Sequence, residues 1–194
     1  EKNMLAPEEI TAKDVTKTYL RWHFANEIPH SFERYVAPSL LYAMMPILRK
    51  LYKDEDQLRA AYKRQLLFFN TQLSWGGDVI TGLMSSMEQE RAKEVVNGEE
   101  VTMTDDLMYN TKAGLMGALA GIGDSIDSGT VQYIFIAIAV PWAQMGSPMG
   151  ALFPFIAFAL YQVMLGVFFA RSAFKTGKNA TGVMHSAGIQ TVIE

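Results

Sequence analysis

The chain has 194 residues, a formal net charge of −3 and no cysteine. That balance leaves no global basic footprint for nucleic acid, and the missing thiols remove disulfide scaffolds, thiolate metal sites and thiol nucleophiles. Average composition looks soluble, but 31 of the 37 Lys, Arg, Asp and Glu residues lie in residues 1–112, and the 43 residues between Asp127 and Arg171 carry no charge. Exposed faces need charge for solubility, so the pattern disfavours an ordinary soluble enzyme and points to a membrane. The opening stretch EKNMLAPEEITAKD has no apolar run of the signal-peptide kind, so insertion is expected to use internal segments.

In chain order, Thr11 and Asp14 have the spacing of a capping box and predict a helix over Lys13–Asn26 with Lys13, Lys17 and Arg21 on one face. A basic stripe beside aromatic residues suits a membrane interface as well as a plain packed surface. Residues 39–52 (SLLYAMMPILRKLY) read as an apolar helix that Pro46 would kink or divide. Residues 55–70 read as a helix ending at Asn70-Thr71, after acids suited to a helix start. Trp75-Gly76-Gly77 reads as a turn, and Asp78–Val96 as a helix closed by Asn97-Gly98. Thr104 is placed to cap the next helix. Residues 1–103 thus form an amphipathic or interfacial helical region, and 104–194 a membrane core region.

Ala151–Ala170 (ALFPFIAFALYQVMLGVFFA) is uncharged and 20 residues long, enough to cross roughly 30 Å of hydrocarbon. Arg171, Lys175 and Lys178 follow it and are expected on the cytoplasmic side. Upstream, Gly114, Gly117 and Gly121 share a helix face and permit close helix approach. Asp124-Ser-Ile-Asp127-Ser-Gly129-Thr130 then separates two apolar half-spans, which predicts one broken crossing or a re-entrant hairpin. A carboxylate there costs about 2.5 kcal/mol or more unless paired or hydrated. With Ser125 and Thr130 adding hydroxyls, the turn either lines a path for a neutral polyol such as a sugar or forms a capping and interface network. The fold class expected is an all-α integral membrane protein with amphipathic N-terminal helices, Gly-rich broken or re-entrant helices and at least one full transmembrane helix.

The stretch GLMGALAGIGDSIDSGT (114–130) resembles the signature G-x-M-G-P-L-A-G-I-G-D-S-x-x-x-G-T of the IID component of the bacterial phosphotransferase system, mannose/fructose/sorbose family. SFERY (31–35), YAMMPILRKLYKDEDQL (42–58), RQLLFFNT (64–71) and the run from Tyr161-Gln162 to RSAFKTGKNATG agree in order and spacing. The resemblance implies a non-catalytic, all-helical subunit of the bacterial cytoplasmic membrane. It implies pairing with a IIC subunit, assembly into a trimer of such pairs, and import of a hexose or related sugar that a IIA/IIB phosphocarrier phosphorylates. It assigns no phosphohistidine to His23, His30 or His185, and no cofactor or metal. Asp124, Ser125, Asp127, Thr130, Gly121, Gly123, Asn70 and Thr71 are the candidate substrate-lining or supporting residues. The sequence departs from the family pattern at Ala118, where Pro is usual, at Gln72-Leu73, where His-Pro is frequent, and at Ile126-Asp127-Ser128, where bulky apolar residues are frequent. The resemblance also implies further membrane helices beyond Glu194.

Overall fold

The computed structural model describes residues 6–186, with side chains as far as Lys178. These residues fold into α1 (Ala12–Ala25), α2 (Ala37–Leu51), α3 (Glu55–Gln65), α4 (Asp78–Asn97), α5 (Asp105–Gly123), α6 (Gln132–Gln144) and α7 (Met149–Ser186). Two π-helical segments, Leu73–Gly77 and Asp124–Val131, lead into α4 and α6. Among the described residues there is no strand; isolated bridges join Tyr35 to Ser31 and to Phe69.

The local signals account for most boundaries. The Thr11–Asp14 capping box forms in full, Thr104 caps α5 through Leu107 N–H, and Gly98 closes α4 in the left-handed conformation, φ 68°. α2 runs through Pro46 without interruption. Proline lacks the N–H that would bond the carbonyl four residues back, and that carbonyl, Tyr42 O, accepts instead from Arg21 Nη2 at 2.8 Å and Nε at 3.1 Å. The same guanidinium lies 3.9 Å from the Tyr42 ring centre, so one Arg both repairs the ladder and stacks.

Two expectations are corrected. α3 ends at Gln65 rather than at Asn70-Thr71. Phe69 is fully buried, its carbonyl accepts from Val36 N–H, and the chain beyond α3 docks on the protein instead of coiling on. The Asp124–Thr130 segment neither breaks nor reverses the helix: α5, the π segment and α6 run continuously over Asp105–Gln144. Ser125 and Thr130 hydroxyls bond back to the carbonyls of Gly121 and Ser125, and the widened π ladder carries the small polar residues without a turn. The resulting 40-residue helix and Met149–Lys178 are each long and apolar enough to span a membrane.

α4 lies parallel to α7, with Asp78, Gly82 and Ser86 opposite Gly166, Ala170 and Gly177; α1 lies antiparallel to it, with Thr16 and Tyr19 opposite Arg171 and Gly166. At Gly82 a Cβ would strike the Ala170 carbonyl, and at Gly166 it would strike Tyr19 and Asp78. One apolar core, with Tyr19, Trp22, Leu40, Met44, Phe69 and Met84 buried in it, joins α1, α2, α4 and α7. By contrast Tyr133, Ile134, Phe155, Leu160, Met164 and Phe168 on α6 and α7 are exposed.

Candidate functional site

The first π segment begins where Gln72 turns extended and its Oε1 accepts the Trp75 N–H at 2.8 Å. This presents three side chains to the second π segment. Asp127, with no exposed surface, accepts from Gln72 Nε2 at 3.2 Å, from Trp75 Nε1 at 3.0 Å, from Tyr161 Oη at 2.9 Å and from Ser74 Oγ. Every donor is neutral. Between them they satisfy both carboxyl oxygens. Gly123 permits the approach, since a Cβ there would meet Gln72 and Trp75.

The other expected site residues are distributed around this cage. Thr71 is buried and donates to Met116 O at 3.1 Å, and the Asn70 N–H points to Met116 Sδ at 3.1 Å. Gly121, Asp124, Ser125 and Thr130 are exposed. The structure therefore brings Asp127, Gly123 and Thr71 to the first π segment and leaves Asp124, Ser125 and Thr130 on the outer surface of the long helix. Gln72, Ser74, Trp75 and Tyr161 were not singled out from sequence as partners of Asp127. A signal existed: two of the departures from the family pattern, at Gln72 and Asp127, touch each other here. Asp78, read only as the start of α4, is also fully buried, and neither of its carboxyl oxygens has a hydrogen-bond partner. Burial, with the charge of Asp127 adding to it, pushes its carboxyl well above the ordinary carboxylate range.

A second buried acid lies further along α4. Glu88 accepts from Arg64 Nε (3.1 Å) and Nη2 (2.8 Å), from Gln65 Nε2 (2.6 Å) and from Tyr52 Oη (2.7 Å). Arg64 continues to Asp105, which Arg91 also reaches at 3.1 Å. The network ties α2, α3 and α4 to the start of α5. Of the histidines, His23 lies against Tyr19 and His30 packs edge-on against Tyr35; the side chain of His185 lies outside the described residues. Among the described residues no group of three His, Cys, Asp or Glu is placed to hold a metal ion.

A family model described as the PTS system mannose/fructose/sorbose family IID component matches residues 9–194. The chain belongs to this family. Among IID relatives, the mannose-specific EIID component of Escherichia coli (strain K12) is 31% identical over 188 residues, covering 96% of this chain and 64% of the relative. The sorbose-specific EIID component of Lacticaseibacillus casei is 33% identical over 187 residues, covering 96% and 63%. A chain in the cryo-EM structure of the mannose transporter ManYZ in complex with microcin E492 superposes with a TM-score of 0.79 at 32% identity, over 93% of this chain and 62% of that one. The present chain thus spans a little under two thirds of the length of these IID proteins. Family and fold agree on an all-α membrane protein.

Proposed function

We propose that this IID chain is a non-catalytic membrane subunit of a sugar phosphotransferase transporter. In this reading it works with a IIC subunit in the bacterial cytoplasmic membrane, as one of a trimer of such pairs. It helps to import a hexose or related sugar that a IIA/IIB phosphocarrier phosphorylates. Residues 104–194 form the membrane core, residues 1–103 its interfacial helical region, and Arg171, Lys175 and Lys178 face the cytoplasm.

One observation supports the reading most. Gly114, Gly117 and Gly121 have open space where a Cβ would stand, and Asp124, Ser125 and Thr130 follow them on exposed surface of the same apolar helix. A bare glycine face invites close approach of another helix, and exposed carboxylate and hydroxyl groups beside it suit a polyol passing between the two subunits. Asp124, Ser125 and Thr130 line that path; Asp127, Gly121, Gly123, Asn70 and Thr71 support it. The alternative role is that of a scaffold, with Asp124 serving assembly alone.

Asp124→Asn separates the two roles. Uptake of labelled hexose should fall at least tenfold while the IIC–IID complex still co-purifies in normal yield. Unchanged uptake through an assembled complex would refute the lining role, and loss of assembly would favour the scaffold.

A further inference from the structure

Asp78 is a buried acid to which the proposed transport role gives no part, and its carboxyl oxygens have no hydrogen-bond partner. Gln72 is the last extended residue before the first π segment, and helical geometry is continuous from Leu73 into α4, with φ −64° and ψ −42° at Gly77. Asp78 therefore lies about a turn inside a helix and gains little from the free N–H groups that favour charge at a true N-terminus. Tyr19 faces it from α1, with His23 beside Tyr19; Gly166 faces it from α7; Asp127 with its partner Tyr161 lies across the cage that Ser74 and Trp75 complete. No Lys or Arg among the described residues forms an ion pair with Asp78 or Asp127.

Two buried carboxyls, with the charge of Asp127 acting on Asp78, thus have unequal provision. All four polar contacts of Asp127 come from N–H and O–H groups, which suit an anion and leave it no free face for a metal cation. Asp78 receives none, and an ionised carboxylate without hydrogen bonds or water is far costlier than the neutral acid. We propose that Asp78 is a proton-binding site: it holds one proton, the Asp78–Asp127 pair carries a single negative charge, and loss of that proton loosens the junction of α1, α4 and α7. A second charge at Asp78 would face Asp127 and draw in water, and Gly166, pressed against Tyr19 and Asp78, is where the helices would part.

The sign follows from linkage. An acid whose folded-state affinity for protons exceeds its unfolded one stabilises the fold fully below its unfolded pKa, near 4. That contribution is lost as pH rises toward the folded value, by up to about tenfold in the folding equilibrium constant per pH unit.

The test uses the full-length protein in its membrane complex, in deuterated detergent buffer. Infrared spectra at neutral pH should contain a protonated-carboxyl stretch that Asp78→Asn removes, and the same variant should flatten the fall of thermal stability with rising pH relative to wild type. Absence of an Asp78-dependent band at neutral pH, or parallel stability curves for the two proteins, would overturn the proposal. A stabilisation by NaCl over choline chloride that Asp78→Asn abolishes, with no protonated band, would assign the site to a cation instead. If Asp78→Asn does not accumulate, Asp127→Asn decides: removing the neighbouring charge should shift the disappearance of the band to lower pH, and an unchanged titration would refute the pairing.

Discussion

Glu88 and Asp127 are both buried to the same degree and each is met by four hydrogen bonds, yet they are compensated in different ways. Glu88 is met by a guanidinium through two of its N–H groups, and the charge is passed on to Asp105 and Arg91 near the surface. Asp127 is met only by an amide, a hydroxyl, an indole and a phenol. The first arrangement is a charge pair that locks four helices together. The second satisfies both oxygens of Asp127 with neutral dipoles, while Asp78 has no donor of its own. Equal burial is therefore compensated by an ion pair at one site and by neutral donors alone at the other.

Breaking the ion pair should have the largest effect. Arg64→Met leaves Glu88 uncompensated in the core, and one-sided removal of a buried pair costs about 3–5 kcal/mol. The purified protein should lose that much in denaturant unfolding, and adding Glu88→Leu to the same chain should restore part of it. If Arg64→Met alone costs less than about 1 kcal/mol, water reaches Glu88 and the contrast with Asp127 fails. The neutral cage should be more forgiving. Asp127→Ala strands the donors of Trp75 and Tyr161, at about 1–3 kcal/mol for each buried group left unsatisfied. Tryptophan fluorescence should report the release of Trp75, whereas Arg64→Met should leave that signal unchanged.

The two sites also differ in how legible they were. Caps, helix starts and the span ending at Ala170 follow from local patterns, because N-cap oxygens and runs of apolar residues act within a few positions. The second π segment reads as a break because Gly, Ser and Asp are poor helix formers in isolation. What holds it is remote: Asp127 is fixed by Gln72, Ser74 and Trp75, more than fifty positions away, and by Tyr161. Asp78 misled in the same way. Its type and place suit a helix start, and only the π turn before it and the close fit at Gly166 reveal a buried acid. The family resemblance marked Gln72 and Asp127 as departures, and the fold places the two in contact.

The smallest expected effect lies at the surface, where α1 meets α2. Asp14 completes the capping box and accepts from Lys50 Nζ at 2.7 Å. Burial works against its charge, but the hydrogen bonds from Lys50 and Thr11 prevail and hold its carboxyl down to about 2. An acid depressed in the folded state contributes stability above its unfolded value, near 4, and loses it as pH falls through the folded value. The clamp should therefore be intact at neutral pH and weaken between about pH 4 and pH 2. Lys50 is partly exposed, so solvent screening limits the pair to at most about 1 kcal/mol. Asp14→Asn should lower neutral-pH stability by that amount, lower it less in high salt, and converge with wild type near pH 2. Because Asp78 already holds its proton, it should not reproduce this acid-side, salt-sensitive signature, and a salt-independent loss in Asp14→Asn would assign the effect to the helix cap rather than to the ion pair.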